Sequence, residues 1–174
     1  MQDILEKAAP IRLVIFDVDG VLTDGSLFLD DHGVEYKAFH SRDGHGMKML
    51  QRTGVEIAVI TGRTSHVVVH RMENLGVRHV YQGQLDKLPA FEAICAELAV
   101  APEAAAYVGD DVVDLPVMAR VGLAIAVQDA HSLVKRHAHW TTAAAGGRGA
   151  AREVCELLMQ AQGTLEAELG HYLP

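Results

Sequence analysis

Short apolar runs alternate along this 174-residue chain with longer stretches in which apolar residues return at helical spacing. The runs at 13–16, 55–60, 77–81, 105–108 and 123–127, with a last short one at 139–142, predict strands. The first, Leu13-Val14-Ile15-Phe16, carries no polar alternate, the pattern of a strand covered on both faces of a parallel sheet. Helices are predicted from Arg42 to about Arg52, from Ser65 to Gly76, over 89–98, 115–120 and 132–138, and from Ala150 to about Gln162. Ser65 is expected as an N-cap, with Gly54 and Gly76 as helix stops. Residues 1–9 predict a helical lead-in closed by Pro10. The segments 26–29 and 34–39, flanking Asp30-Asp31-His32-Gly33, predict a β-hairpin. Residues 143–149 read as a flexible Gly/Ala loop, and the end through Tyr172-Leu173-Pro174 as a tail. Strands alternating with helices predict right-handed crossovers and an α/β, doubly wound parallel sheet. With no internal repeat and no low-complexity linker, residues 1–174 read as one domain.

The polar residues that interrupt this pattern fall at strand ends. Asp17 and Asp19 follow the first strand, Thr61 the second, Lys87 lies just past the third, and Asp110, Asp111 and Asp114 follow the fourth. In a parallel sheet those ends lie along one edge, where open α/β sheets place their ligands. Alternation points Asp17 and Asp19 the same way, and two such anions repel by about 4 kcal/mol at 4 Å in an effective dielectric near 20 unless a cation or shared proton intervenes. Alone, the pair reads first as ordinary loop acids, one of them capping the next element. With the other strand ends, the acids suit a hard divalent cation such as Mg2+, and Lys87 and Thr61 suit a phosphoryl group. Asp17 would then be a carboxylate nucleophile, Asp19 the proton donor and acceptor, and Asp114 the group that orients Lys87. The absence of GxxxxGK[ST] excludes a P-loop enzyme.

Composition narrows the partners. A net charge of -8 and a sequence pI of about 5.6 provide no basic field for nucleic acid or an anionic membrane. Cys95 and Cys155 form neither a zinc-spaced cluster nor a disulfide framework, and no apolar run approaches a membrane span or an export leader, so a reduced, cytoplasmic protein is expected. His32, His66, His70, His79 and His131 are expected on loops or exposed helix faces, and His137 and His139 at the surface rather than on a metal. Met47, Met49, Met72, Met118 and Met159 are expected to fill the core. Gly146-Gly147-Arg148-Gly149 reads either as a backbone cradle for phosphate or as a hinge.

FDVDGVLTDG at 16–25, TGR at 61–63, Lys87 and GDDVVD at 109–114 resemble the four motifs of the haloacid dehalogenase superfamily of phosphotransferases. That resemblance implies a Rossmann-like fold and Mg2+ held by the Asp17 carboxylate, the Asp19 backbone carbonyl and Asp110, with Asp111 among the metal-site acids. KAFHSRDGHGMKML, GQLDK, AYVGDDVVDLPVM, VGLAIAVQDAH and GGRGAAREVCELL are similar, over nearly the whole chain, to a capless group within it that dephosphorylates an acidic eight-carbon sugar in lipopolysaccharide synthesis. The short hairpin, in place of a large cap domain, agrees with that group. Its resemblance implies a homotetramer with sites shared between subunits, and a sugar phosphate contacted by Asp19, His40, Ser41, Arg42, Asp43, Gly44, Lys48, Arg63, Arg71 and Lys87. Arginine forks match the two oxygens of a sugar carboxylate. Three alternatives stay open: a capless phosphatase of another acidic sugar, such as a nine-carbon sialic-type phosphate; a receiver-like phosphoacceptor module; and a scaffold that keeps the fold without turnover, against which every acid needed for catalysis is present. Receivers also cluster acids, Thr and Lys on a doubly wound sheet but lack a second acid two residues after the phosphoacceptor.

Overall fold

The computed structural model describes residues 1–173; Pro174, the end of the expected tail, lies outside the described residues. Six parallel strands form the centre: β1 (Leu13–Phe16), β4 (Glu56–Ile60), β5 (His79–Tyr81), β6 (Ala105–Gly109), β7 (Leu123–Ala126) and β8 (Trp140–Thr141). They lie in the order β5-β4-β1-β6-β7-β8, which in order of appearance within this sheet is the Rossmann sequence 3-2-1-4-5-6. The direction of winding therefore reverses between β1 and β6. All four residues of β1 are fully buried, and Phe16 pairs with Val59 on one side and Val108 on the other, so the three central strands end level with one another.

Helices α1 (Gln2–Ala8), α2 (Ser41–Arg52) and α7 (Ala150–Ala161) pack together, and α4 (Leu88–Leu98), α5 (Leu115–Met118) and α6 (Ser132–His137) form a second group. Helix α3 (His66–Leu75) ends at Gly76, whose φ of 74° provides the expected left-handed stop. Ser65 stands at its N-cap position, but no side-chain cap bond forms; instead the Ser65 amide donates to Gln82 Oε1 at 2.7 Å. All five expected core methionines are buried.

Four departures from the sequence pattern have physical causes. The hairpin pairs only β2 (Phe28–Leu29) with β3 (Glu35–Tyr36), because it projects beyond the sheet and has no neighbour to lengthen it. The helix expected over 115–120 begins instead as a 3-10 turn, Val112–Asp114, capped by Asp111, and passes into the short α5. The expected tail contains α8 (Leu165–Gly170), fastened where Arg52 donates to Glu168 through Nε at 2.9 Å and also through Nη2. His79 lies on β5 with its side chain only 15% exposed, 3.6 Å from Glu97, rather than on a loop.

The 143–149 loop is fastened too. Gly146 donates to Asp129 at 2.9 Å, Gly147 to the Val21 carbonyl at 2.9 Å, Arg148 to the Ala145 carbonyl at 3.1 Å and Gly149 to Asp43 at 3.3 Å. With those four amides engaged inside the protein, the loop offers no backbone cradle for an anion, and it ties β1's exit to α7 rather than acting as a hinge.

Candidate active site

The level ends of β1, β4 and β6 open into a cleft of about 320 Å³ lined by Asp17, Asp19, Thr61, Gly62, Arg63, Gln84, Leu85, Lys87, Asp110, Asp111 and Val113. The geometry starts from Asp114, which is completely buried and accepts four hydrogen bonds. Its Oδ1 receives Lys87 Nζ and the Tyr107 hydroxyl, both at 2.7 Å, and its Oδ2 receives the amides of Asp110 and Asp111 at 2.9 and 3.1 Å. Asp114 thus shapes the 110–114 turn and aims Lys87, whose ammonium reaches Asp17 Oδ2 at 2.8 Å. The other Asp17 oxygen accepts the Val18 amide at 2.7 Å. Tyr107 was not anticipated as part of this arrangement, although a tyrosine in an otherwise apolar buried strand requires a hydroxyl partner.

Backbone proximity holds the acids at this spacing. Gly20 has a φ of +91°, and a Cβ there would lie 2.1 Å from Asp110 Oδ2. A Cβ on Gly109 would lie 2.6 Å from Asp114. Asp17, Asp110 and Asp114 accordingly bring carboxylate oxygens within 4.8 Å of one another. Burial pushes the Asp110 carboxyl up to about 8, reinforced by the charges of Asp114 and Asp17. Burial also raises Asp17 to about 6, against the opposing pull of Lys87. Lys87 is itself held above its ordinary value, because Asp17 and Asp114 outweigh the burial that would lower it.

A divalent cation fits this donor set. Asp110 Oδ1 is buried without a hydrogen-bond partner, while both oxygens of Asp114 are already engaged. Asp17, Asp110 and the Asp19 carbonyl would hold Mg2+, with Asp111 exposed at the rim and one of its oxygens accepting the Val112 amide.

The structure adds two residues from the hairpin that the sequence pattern did not reveal. Lys37 donates to Asp19 Oδ1 and, at 3.2 Å, to Glu35; Arg63 donates to the same Glu35 at 2.9 Å and lies 4.0 Å from Asp19. Burial alone would raise Glu35, but hydrogen bonds from Arg63, Ser65 and Lys37 hold it below the ordinary carboxylate range.

The remaining expected substrate residues occupy other places within the chain. His40, Asp43, Gly44 and Arg71 converge on a narrow gap with Leu22 and Met47, and the Arg71 guanidinium stands 5.8 Å from the Phe39 ring centre. The Asp43 carboxylate caps α7, accepting the Arg152 amide at 2.9 Å and the Gly149 amide at 3.3 Å. Ser41, Arg42 and Lys48 are exposed on α2. Arg63 therefore lines the acid cleft and Arg71 does not, so one chain does not assemble both arginines into a single carboxylate clamp.

Clustered carboxylates at the exits of the adjacent central strands β1 and β6, with a Lys–Asp pair behind them, agree with a class, the haloacid dehalogenase-like hydrolases, and a profile of that description matches residues 76–153. Escherichia coli K12 3-deoxy-D-manno-octulosonate 8-phosphate phosphatase is 51% identical over 97% of this chain and 89% of its own length. The Yersinia pestis enzyme of that name has a crystal structure 49% identical to this chain, with a TM-score of 0.93 over 94% of this chain and 89% of the other. The Moraxella catarrhalis counterpart, solved with a magnesium ion, a phosphate ion and KDO, is 38% identical, with a TM-score of 0.97 over 99% of both chains. The chain belongs to the haloacid dehalogenase-like hydrolase family, among its phosphatases.

Proposed function

We propose that this protein is a Mg2+-dependent phosphomonoesterase that removes phosphate from 3-deoxy-D-manno-octulosonate 8-phosphate in lipopolysaccharide sugar synthesis. The observation that carries the mechanism is the buried row in which Asp114 aims Lys87 at Asp17, beside the unpartnered oxygen of Asp110. The relatives of that name, and the sugar in the Moraxella structure, support the choice of substrate.

With its carboxyl near 6, Asp17 is largely ionised at pH 7. Its carboxylate attacks phosphorus and the bond to the sugar oxygen breaks, leaving an aspartyl-phosphate. Asp19 gives the departing oxygen its proton, then takes one from the water that attacks the same phosphorus and frees Asp17. Lys87 and Thr61 hold phosphoryl oxygens, and Mg2+ when bound neutralises the charge that gathers on them.

His40 at the N-cap of α2 and the α2 residues Ser41, Arg42, Asp43, Gly44 and Lys48, together with Arg71, would serve the sugar end in a homotetramer whose subunits share sites. Leu27, Phe28, Leu29 and Tyr36 leave an apolar hairpin 51–59% exposed, which suits burial against other copies. We place the whole of 1–174 in one cytoplasmic phosphatase unit. Among the described residues no helix is long and apolar enough to cross a membrane.

Phosphate release with Mg2+ from this sugar phosphate, compared with a nine-carbon sialic-type phosphate, tests the substrate. The Asp17→Asn variant tests the chemistry and should lose turnover by at least about a thousandfold. Equal release by both proteins would remove the nucleophile assignment.

A further inference from the structure

We propose that Lys37, carried by the hairpin, is a positioning residue that sets Asp19 as the proton donor to the leaving oxygen. The inference rests on the acid role given to Asp19 above. Lys37 follows β3 by one residue, and its side chain is only 1% exposed even though Tyr36 beside it is 59% exposed. A lysine buried to that degree needs its charge matched, and Lys37 has two matching partners: Asp19 Oδ1 and, at 3.2 Å, Glu35.

The consequence lies in what this leaves for Asp19. Its Oδ1 is engaged by Lys37, whereas Oδ2 is buried and has no hydrogen-bond partner, with Arg63 Nε 4.0 Å away. A carboxyl group that must exchange one proton with a substrate works best when one oxygen is anchored and the other faces the reacting atoms. Lys37 supplies that anchor. Glu35 completes the arrangement by joining Lys37 to Arg63, so that hairpin and β4 exit are tied across the cleft by charged groups. Lys37 itself neither attacks phosphorus nor transfers the proton; it fixes which Asp19 oxygen does.

First-turnover rates with Mg2+ on two esters test this. The eight-carbon sugar phosphate leaves as an alkoxide that must be protonated, whereas para-nitrophenyl phosphate leaves as a stable phenolate that need not be. Lys37→Met should slow first-turnover cleavage of the sugar ester by at least about tenfold. It should leave the first-turnover release of para-nitrophenolate within about threefold of wild type. Lys37→Arg, which keeps the charge, should recover most of the lost rate. Asp19→Asn is the control for the underlying reading and should give the same selective loss, more strongly. If Asp19→Asn is selective and Lys37→Met slows both esters alike, Lys37 is only a structural prop and the inference fails while the reading of Asp19 stands. If Asp19→Asn itself slows both alike, the acid role falls and Lys37 falls with it.

Discussion

Loading Mg2+ into the cleft at neutral pH should expel about one proton per ion. The Asp110 carboxyl lies near 8, because burial disfavours its charge and Asp114 and Asp17 add like-charge repulsion. At pH 7 such a group is about nine-tenths protonated, whereas Asp17, near 6, is about one-tenth protonated. A hard cation binds carboxylates in their ionised form, so occupancy must drive the Asp110 proton off. Apparent Mg2+ affinity should consequently climb about tenfold for each pH unit between 6 and 8, more steeply below 6 as Asp17 joins, and level off above about 8.5. Titration calorimetry at pH 7 in buffers of different ionisation enthalpy measures the released protons directly. Asp110→Asn should abolish most of the release and flatten the profile. Binding to the wild-type protein with no proton released at pH 7 would mean that Asp110 is already charged, and the argument from burial and neighbouring carboxylates would be refuted.

The same two groups set the stability of the ion-free protein. Both carboxyls are raised in the fold above their ordinary value of 3.8, so their contribution is fully present below pH 4 and is lost as pH rises through 6 and 8. Thermal melts without metal should show that decline, and excess Mg2+ should offset it at pH 8; a metal-free melting temperature that rises from pH 5 to pH 8 would contradict the assignment. Gly20→Ala, at a φ of +91° and 2.1 Å from Asp110 Oδ2, should cost about 1–3 kcal/mol in urea unfolding and weaken Mg2+ binding through displacement of Asp110. Glu168→Ala should remove about 1 kcal/mol, because Arg52 is 44% exposed and regains water, and should speed hydrogen exchange within 165–170.

The sheet and its acids were legible because both signals are local. A fully apolar run such as 13–16 announces a central strand, and a parallel sheet then brings Asp17, Thr61, Lys87 and Asp110 to one edge without further information. Other features depend on contacts between residues distant in the chain. Glu168 meets Arg52 across 116 positions, and Asp43 meets the Arg152 amide across 109, so neither the six-residue α8 nor the α7 cap leaves a mark in its own segment. Lys37 directly follows a two-residue strand, too short for alternation to show that its side chain turns inward while Tyr36 faces out. The glycines at 146, 147 and 149 looked available to an anion because Asp129, Val21 and Asp43, which occupy their amides, lie far off in sequence.

The reversal of winding between β1 and β6 places Asp17 and Asp110 on exits from the most protected strands of the molecule. Backbone amides there should resist exchange until the whole domain opens, which makes the reacting centre the least adaptable region of the protein. Diversity among sugars must then arise on the periphery, in the start of α2 and in the hairpin outside Glu35 and Lys37, where side chains can be exchanged without disturbing that frame. Grafting those two segments from one relative onto another, with Glu35 and Lys37 kept in place, is the practical route to a new specificity that leaves the hydrolytic machinery intact.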